Sequence, residues 1–247
     1  MLNVIIELKN VYKSFNGLAV LNGLNLTILE GEIISLLGGS GTGKSVILKE
    51  LIGLIKPDKG DIFVMGKNVT QMHEDELIKL RVHVGFLFQG AALFDSLTVF
   101  ENIAYPLREH LHLSKKEIQE RVAEKLNLVG LKGIELKMPA ELSGGMKKRV
   151  GLARAIATEP NIILYDEPTT GLDPRTAQHI NELILELQRK LGVTTIVVTH
   201  DLNCVKTVSD RVAMLYNGEI IMVGTWEELM LSNIPEVKDF ISGNICE

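Results

Sequence analysis

The chain has 247 residues, 46% of them apolar, and a formal net charge of −5. That composition excludes a disordered chain and is long enough for one large domain or two lobes, burying roughly 70–75% of its unfolded surface. The acidic balance argues against a general polyanion binder such as a non-specific DNA protein.

The first residues, Met1–Glu7, lack a basic region followed by a long apolar stretch, so no signal peptide is expected. No apolar run approaches the ~20 residues of a membrane-spanning helix, so any membrane role is expected to come through a partner. Residues 4–8 and 24–29 alternate apolar with polar, Leu24, Leu26 and Ile28 among them, which predicts half-buried antiparallel strands. Between them lies Tyr12-Lys13-Ser14-Phe15-Asn16-Gly17. Ile33-Ile34-Ser35-Leu36-Leu37 reads as a short buried strand, and Val46 to Ile52 as a helix packed on a sheet.

Between that strand and that helix stands Gly38-Gly39-Ser40-Gly41-Thr42-Gly43-Lys44-Ser45, a glycine, four residues, then Gly-Lys-Ser. Its context is the one a phosphate-binding loop requires. Glycines let successive backbone N–H groups point inward as an anion-binding nest, and the helix beginning near Lys44 aims its positive end at the same spot. Lys44 would reach the β- and γ-phosphates of a nucleotide, and the Ser45 hydroxyl would ligate Mg²⁺.

Lys56-Pro57-Asp58-Lys59-Gly60 reads as a turn, Ile62 to Met65 as a strand, and Glu74 to Arg81 as a short helix. Val84 to Phe88 reads as a buried strand ending at Gln89. From about residue 90 to 155 strand signals vanish. Val99 to Arg108 and Ser114 to Leu128 read as helices, with Ser114 as N-cap and Glu117 completing a capping box. Leu142-Ser143-Gly144-Gly145-Met146 precedes a helix expected to start near Lys147, and makes a second anion site out of a serine cap and two glycines. Two such sites exceed what one nucleotide needs, but a head-to-tail pair of molecules would use both. Lys147-Lys148-Arg149 reads as a solvated basic face, with contact to anionic lipid as the other option.

Ile162 to Tyr165 is an apolar strand ending in Asp166-Glu167. Beside a phosphate loop, an Asp at that strand end holds the Mg²⁺ shell and the Glu can act as a base on water. Standing alone, the pair could equally cap a loop before Pro168. A helix from Pro174 to Leu191, a strand from Thr194 to Thr199, a helix near 201–208, and strands near 211–216 and 219–224 follow. Helices are expected from about 225 on, as packing elements or as a dimer latch. The two cysteines, Cys204 and Cys246, stand in no metal spacing and suit a reducing cytosol better than a disulfide framework. His110 and His112, two apart, face different ways on a helix and suggest no metal site.

Taken together, the phosphate loop, Gln89, Leu142-Ser143-Gly144-Gly145, Asp166-Glu167, Gly171-Leu172-Asp173 and Thr199-His200-Asp201 resemble, in family order, the ATP-binding subunit of ATP-binding cassette (ABC) transporters. The resemblance implies an α/β fold: a P-loop NTPase (RecA-like) core with an N-terminal antiparallel β-subdomain and an inserted α-helical subdomain. The core would comprise 1–89 and 156–225, the helical signature subdomain 90–155, and a helical tail 226–247. It implies ATP hydrolysis by a homodimer formed on ATP binding. Glu167 would be the catalytic base, Gln89 would sense Mg²⁺ and the attacking water, and His200 would contact the γ-phosphate. Mg²⁺ would be held by Ser45, Gln89 and Asp166. Gly38 to Ser45 would bind one face of the nucleotide, and Ser143, Gly144, Gly145 and Asp173 of the other copy would close on it. An aromatic residue would stack on adenine. Phe15 best matches that place, with Tyr12 second and core packing as the alternative for Phe15. Two departures are Gly39, where such transporters often have proline, and Phe15, where tyrosine is more usual.

A narrower resemblance follows Gln89. Gly90 to Asn102, Ala104 to His110, and Met138 to Arg149 are similar to ATPases of the maintenance-of-lipid-asymmetry (Mla) type. That implies phospholipid transport between inner and outer membranes, with an integral membrane permease, a lipid-binding carrier protein and accessory subunits. The chain would sit peripherally at the cytoplasmic face of the inner membrane and bind no nucleic acid. Phe94, Leu97, Val99 and Phe100 would be either apolar anchors for the permease or core residues. The alternatives are an importer ATPase for another solute, such as a polar amino acid, and a non-transport ABC ATPase.

Overall fold

The computed structural model describes residues 3–243, so Cys246 lies outside the described residues. In chain order the elements begin with β1 (Val4–Phe15), β2 (Leu18–Leu29), β3 (Ile33–Leu37), α1 (Lys44–Leu51), β4 (Lys59–Val64), β5 (Lys67–Asn68), α2 (Glu74–Arg81) and β6 (Val84–Leu87). They continue with α3 (Val99–His110), α4 (Lys115–Leu128), α5 (Gly144–Ala155), β7 (Ile162–Asp166), α6 (Pro174–Leu191) and β8 (Thr194–Thr199). The chain closes with α7 (Leu202–Val208), β9 (Arg211–Tyr216), β10 (Glu219–Gly224), α8 (Trp226–Met230) and α9 (Pro235–Ser242). Two compact units result: one from residues up to 80 together with those from 194 on, the other from residues 81–193.

In the first unit, β1 and β2 form a long antiparallel hairpin that closes at Phe15 and Leu18. Asn16 and Gly17 both take positive φ, 51° and 82°, as a two-residue hairpin turn demands. The antiparallel strands expected over residues 4–8 and 24–29 are present and extend further, through Phe15 and back to Leu18. The register shifts between Leu8 and Val11 and again before Ser14, and Lys9 and Asn10 are both exposed. Bulges of this kind break the period of two on which alternation is recognised. β4 pairs with the other side of β1, and β5 extends the sheet in the order β2-β1-β4-β5.

Also in this unit, β3 is buried along its whole length and runs parallel to β8 on one side and β9 on the other. Burial on both faces is why it reads as an unbroken apolar run. β10 returns antiparallel along β9. Leu37, Val212 and Met214 from this sheet pack with Val205 of α7, Leu229 of α8 and Val237 of α9, and Trp226 and Phe240 lie against them. The described part of the C-terminal tail is thus a packing element of its own unit.

In the second unit, β6 and β7 are parallel neighbours, with Val84 beside Ile162 and Leu87 beside Tyr165. Between them the described chain is helical. The capping box of Ser114 and Glu117 is present on α4, and Thr98 with Glu101 forms another on α3. The expected start of α5 near Lys147 is corrected to Gly144. The Ser143 hydroxyl accepts the Met146 amide, so the two glycines lie inside the first turn. Val99 is fully buried on α3, which removes it from the expected partner surface, while Phe94 is exposed. α6 runs from its Asp173 cap to Gly192, which takes the left-handed conformation common at helix ends.

Candidate functional site

The phosphate loop joins β3 to α1 in the first unit. Gly43, the residue before the helix, has φ 99°. A Cβ there would come within 2.8 Å of the Val20 side chain, so neither backbone conformation nor space admits a larger residue. α1 has no side-chain cap and no acidic residue in its first turn. Its positive end therefore meets no carboxylate from its own first turn, which suits an anion there. Lys44 is buried, and its ammonium donates to the carbonyls of Gly38 at 2.8 Å and Gly39 at 2.6 Å. Thr42 Oγ1 donates to the Gly39 carbonyl at 2.9 Å, bracing the loop. A coiled backbone, a helix start and an ammonium meet here, and this set fits a nucleotide phosphate chain.

Phe15 is 42% exposed at the hairpin tip, which rules out core packing. The Lys13 ammonium lies 5.3 Å from its ring centroid and also bonds Asp58 at 2.9 Å. The Lys13 side chain, followed by Ser14, holds the Asp58 carboxyl down to about 2. Tyr12 is also exposed. His200 is exposed just past β8. Its neighbours shape the turn: the Asp201 amide donates to Thr199 Oγ1 at 3.0 Å, and the Asp201 carboxylate accepts the Asn203 amide as the cap of α7.

In the second unit, Gln89 lies exposed past β6, and Asp166 and Glu167 are buried at the end of β7. Glu167 takes φ 50°, a left-handed conformation that is uncommon and costly for a side chain of this size. Its carboxylate accepts a hydrogen bond from Thr170 Oγ1 at 3.0 Å. Asp173 is exposed and caps α6 by accepting the amides of Arg175 and Thr176, each at 3.1 Å. Hydrogen bonds from Thr176 lead in keeping its carboxyl below the usual range. Ser143 and Gly144 are exposed, but Gly145 is buried, and a Cβ on it would lie 2.6 Å from Thr176 Cγ2. The second glycine thus serves the close approach of α5 to α6.

The basic run after the signature is not a solvated face. Lys148 is only 5% exposed, and its ammonium donates to the backbone carbonyls of Gln89 and, at 2.9 Å, Glu167. Burial lowers its pKa, opposed by the charges of Asp166 and Glu167. Sequence reasoning missed both Lys148 and Thr170. For Lys148 a signal existed: it stands three residues after Gly145 and four before Leu152, on the buried face of α5. A charged triplet masks that period because lysine is expected outside.

Comparison with known proteins decides the family. Residues 21–170 match the family model described as ABC transporter. The chain belongs to the ABC transporter family. It is 44% identical over 98% of its length to the "Probable ribonucleotide transport ATP-binding protein mkl" of Mycobacterium leprae, of which 70% is covered. It is 39% identical over 97% of its length to the "Intermembrane phospholipid transport system ATP-binding protein MlaF" of Haemophilus influenzae, of which 90% is covered. Among solved structures, the ATP-binding cassette MJ0796 in a dimeric post-hydrolysis state bound to ADP and Pi superposes with a TM-score of 0.83. That match has 36% identity and covers 90% of this chain and 98% of the other. This ABC subunit therefore binds and hydrolyses ATP, on a P-loop NTPase (RecA-like) core with an N-terminal antiparallel β-subdomain and an inserted α-helical subdomain.

Proposed function

We propose that this ABC ATPase powers phospholipid transport between inner and outer membranes through an integral permease, from the cytoplasmic face of the inner membrane. The observation that carries the lipid assignment is the likeness to MlaF, which spans 97% of this chain and 90% of that protein. Among the described residues no helix is long and apolar enough to cross a membrane, so the membrane part is assigned to the permease.

Each residue has a role in this reading. Gly38 to Ser45 cradle the phosphates, Lys44 neutralises the β- and γ-phosphates, and Phe15 stacks on adenine. Ser45, Asp166 and Gln89 offer oxygen atoms, the donor type a hard Mg²⁺ ion takes. Mg²⁺ when bound neutralises charge building on the phosphate oxygens. Glu167, steadied by Thr170, accepts the proton of the attacking water, and His200 donates to the γ-phosphate. Ser143, Gly144, Gly145 and Asp173 of one copy close over the nucleotide of the other, so two ATP molecules are held between two chains. Supporting this is the dimeric state of the MJ0796 cassette. Residues 1–89 and 156–225 make up the catalytic core, 90–155 the signature subdomain and 226–247 the tail. A lipid-binding carrier protein and accessory subunits complete the assembly.

The likeness to Mkl favours a second reading, transport of a different solute such as a nucleotide or amino acid, with the same ATP chemistry. Extraction of the assembled complex in mild detergent, followed by lipid analysis and ATPase assay with added phospholipid or soluble solutes, separates the two. The phospholipid reading expects co-purified phospholipid and a lipid-binding subunit. A permease whose ATPase is stimulated only by a soluble solute overturns it.

A further inference from the structure

We propose that Lys148 is a positioning residue for ATP hydrolysis, its ammonium holding the backbone of Gln89 and Glu167 in one fixed arrangement. The inference rests on the reading above, in which these two residues act on water and Mg²⁺.

The geometry begins with the strands. Leu87 and Tyr165 are register partners on the parallel pair β6 and β7. Gln89 and Glu167 each follow their strand residue by two positions, just past the ends of β6 and β7. Two carbonyls brought into the same space repel, and the Glu167 carbonyl otherwise accepts the Thr170 amide at a long 3.4 Å. Lys148 supplies donors to both from a third element, α5. An ammonium carries three N–H groups and no acceptor, which suits a site built of carbonyls.

Glu167 also needs holding. Its φ of 50° persists only if the surroundings over-determine it. The Lys148 bond fixes the peptide that follows the strained residue, and the Thr170 hydroxyl fixes its carboxylate. Together these two contacts set where the proton-accepting oxygen points. Burial of a lysine with so little exposure is unfavourable by itself, and its placement among the carbonyls of two functional residues, rather than at the surface, gives it a purpose.

The test compares Lys148→Met, which keeps the stem and removes the donors, with Lys148→Arg, which restores them, in full-length protein with MgATP. Steady-state rates, ATP affinity by equilibrium titration and thermal midpoints are measured for each, beside Glu167→Gln and Lys44→Ala. Misplacing a catalytic group by about 1 Å costs on the order of 100-fold. Lys148→Met is expected to lose kcat by about that factor while KM and ATP affinity stay within about threefold, and Lys148→Arg to recover at least about a tenth of the wild-type rate. Should Lys148→Met fold poorly, Lys148→Leu, which likewise carries no donor, is assayed in its place with the same expected split. The proposal is overturned if kcat stays within about threefold of wild type, or if ATP affinity falls in step with kcat. It is equally overturned if the arginine variant, with a wild-type thermal midpoint, recovers nothing. Full activity in Glu167→Gln would instead overturn the assignment of the base, independently of what Lys148 does.

Discussion

Gly145 has no room for a methyl group, because Thr176 Cγ2 occupies the place where its Cβ would lie. Gly145→Ala is expected to destabilise the protein by about 1–3 kcal/mol through overpacking. Removing the offending methyl with Thr176→Ser in the same chain should recover at least half of that loss in chemical denaturation. An unrecovered loss would place the strain elsewhere. Thr170→Val removes the hydroxyl that steadies Glu167, and a hydrogen bond to a charged group is worth about 1.5–3 kcal/mol. Kcat is expected to drop about tenfold or more with ATP affinity unchanged, and an equal drop in both would argue for a role in binding. At this scale the sequence pointed to the groups whose proposed chemistry is written in a motif: Lys44, Asp166, Glu167 and the signature serine. It concealed Lys148 and Thr170, whose proposed roles lie in which backbone or carboxylate they reach. That depends on chain segments brought together only by folding.

Among the elements, α1 carries an unusual feature: Glu50 is 1% exposed, and among the described residues neither of its carboxylate oxygens has a hydrogen-bond partner. Burial, partly opposed by the Lys13 charge and reinforced by Asp58, pushes its pKa from an ordinary 4.5 up to about 8. The folded protein therefore keeps this proton across a range in which the unfolded chain has lost it. Stability from this source is full below pH 4.5, declines between 4.5 and 8, and levels off once the folded group ionises too. Each pH unit in that window is worth at most about 1.4 kcal/mol, or roughly 2–4 °C per kcal/mol in midpoint for a chain of this size. Thermal melts of wild type and Glu50→Gln should accordingly diverge from pH 5 to pH 8, the glutamine variant gaining. Parallel curves would mean that the carboxylate finds a donor in solution. Helices were the most legible elements, since Ser114 and Glu117 state their capping box openly and α6 starts and stops at Pro174 and Leu191 as read. The β1–β2 hairpin was legible only at its far end, because bulges erased the alternation near its turn.

For the whole molecule, the family and the fold were readable because six short motifs occur in one order along a single chain. The cargo was not, because in the proposed reading each of those motifs serves nucleotide, and nucleotide is the same in all such machines. Dimerisation is the corresponding test. Glu167→Gln in MgATP is expected to elute at twice the monomer mass by light scattering, since closure proceeds while reopening by hydrolysis is blocked. Adding Ser143→Arg, which sets a bulky cation at the exposed cap of α5, should return it to monomer mass while ATP affinity of the monomer is kept. A dimer insensitive to Ser143→Arg would move the contact surface elsewhere.

One rod of chain connects these scales. Ser143 begins α5, and Lys148 lies about 7.5 Å further along the same helix axis. A helix resists stretching and compression, so in the proposed dimer a nudge at its tip from a second molecule would be passed along to the peptides that Lys148 grips. Docking and bond cleavage would then be two ends of one drive shaft, and the moment when a copy arrives would set the timing of its neighbour's chemistry.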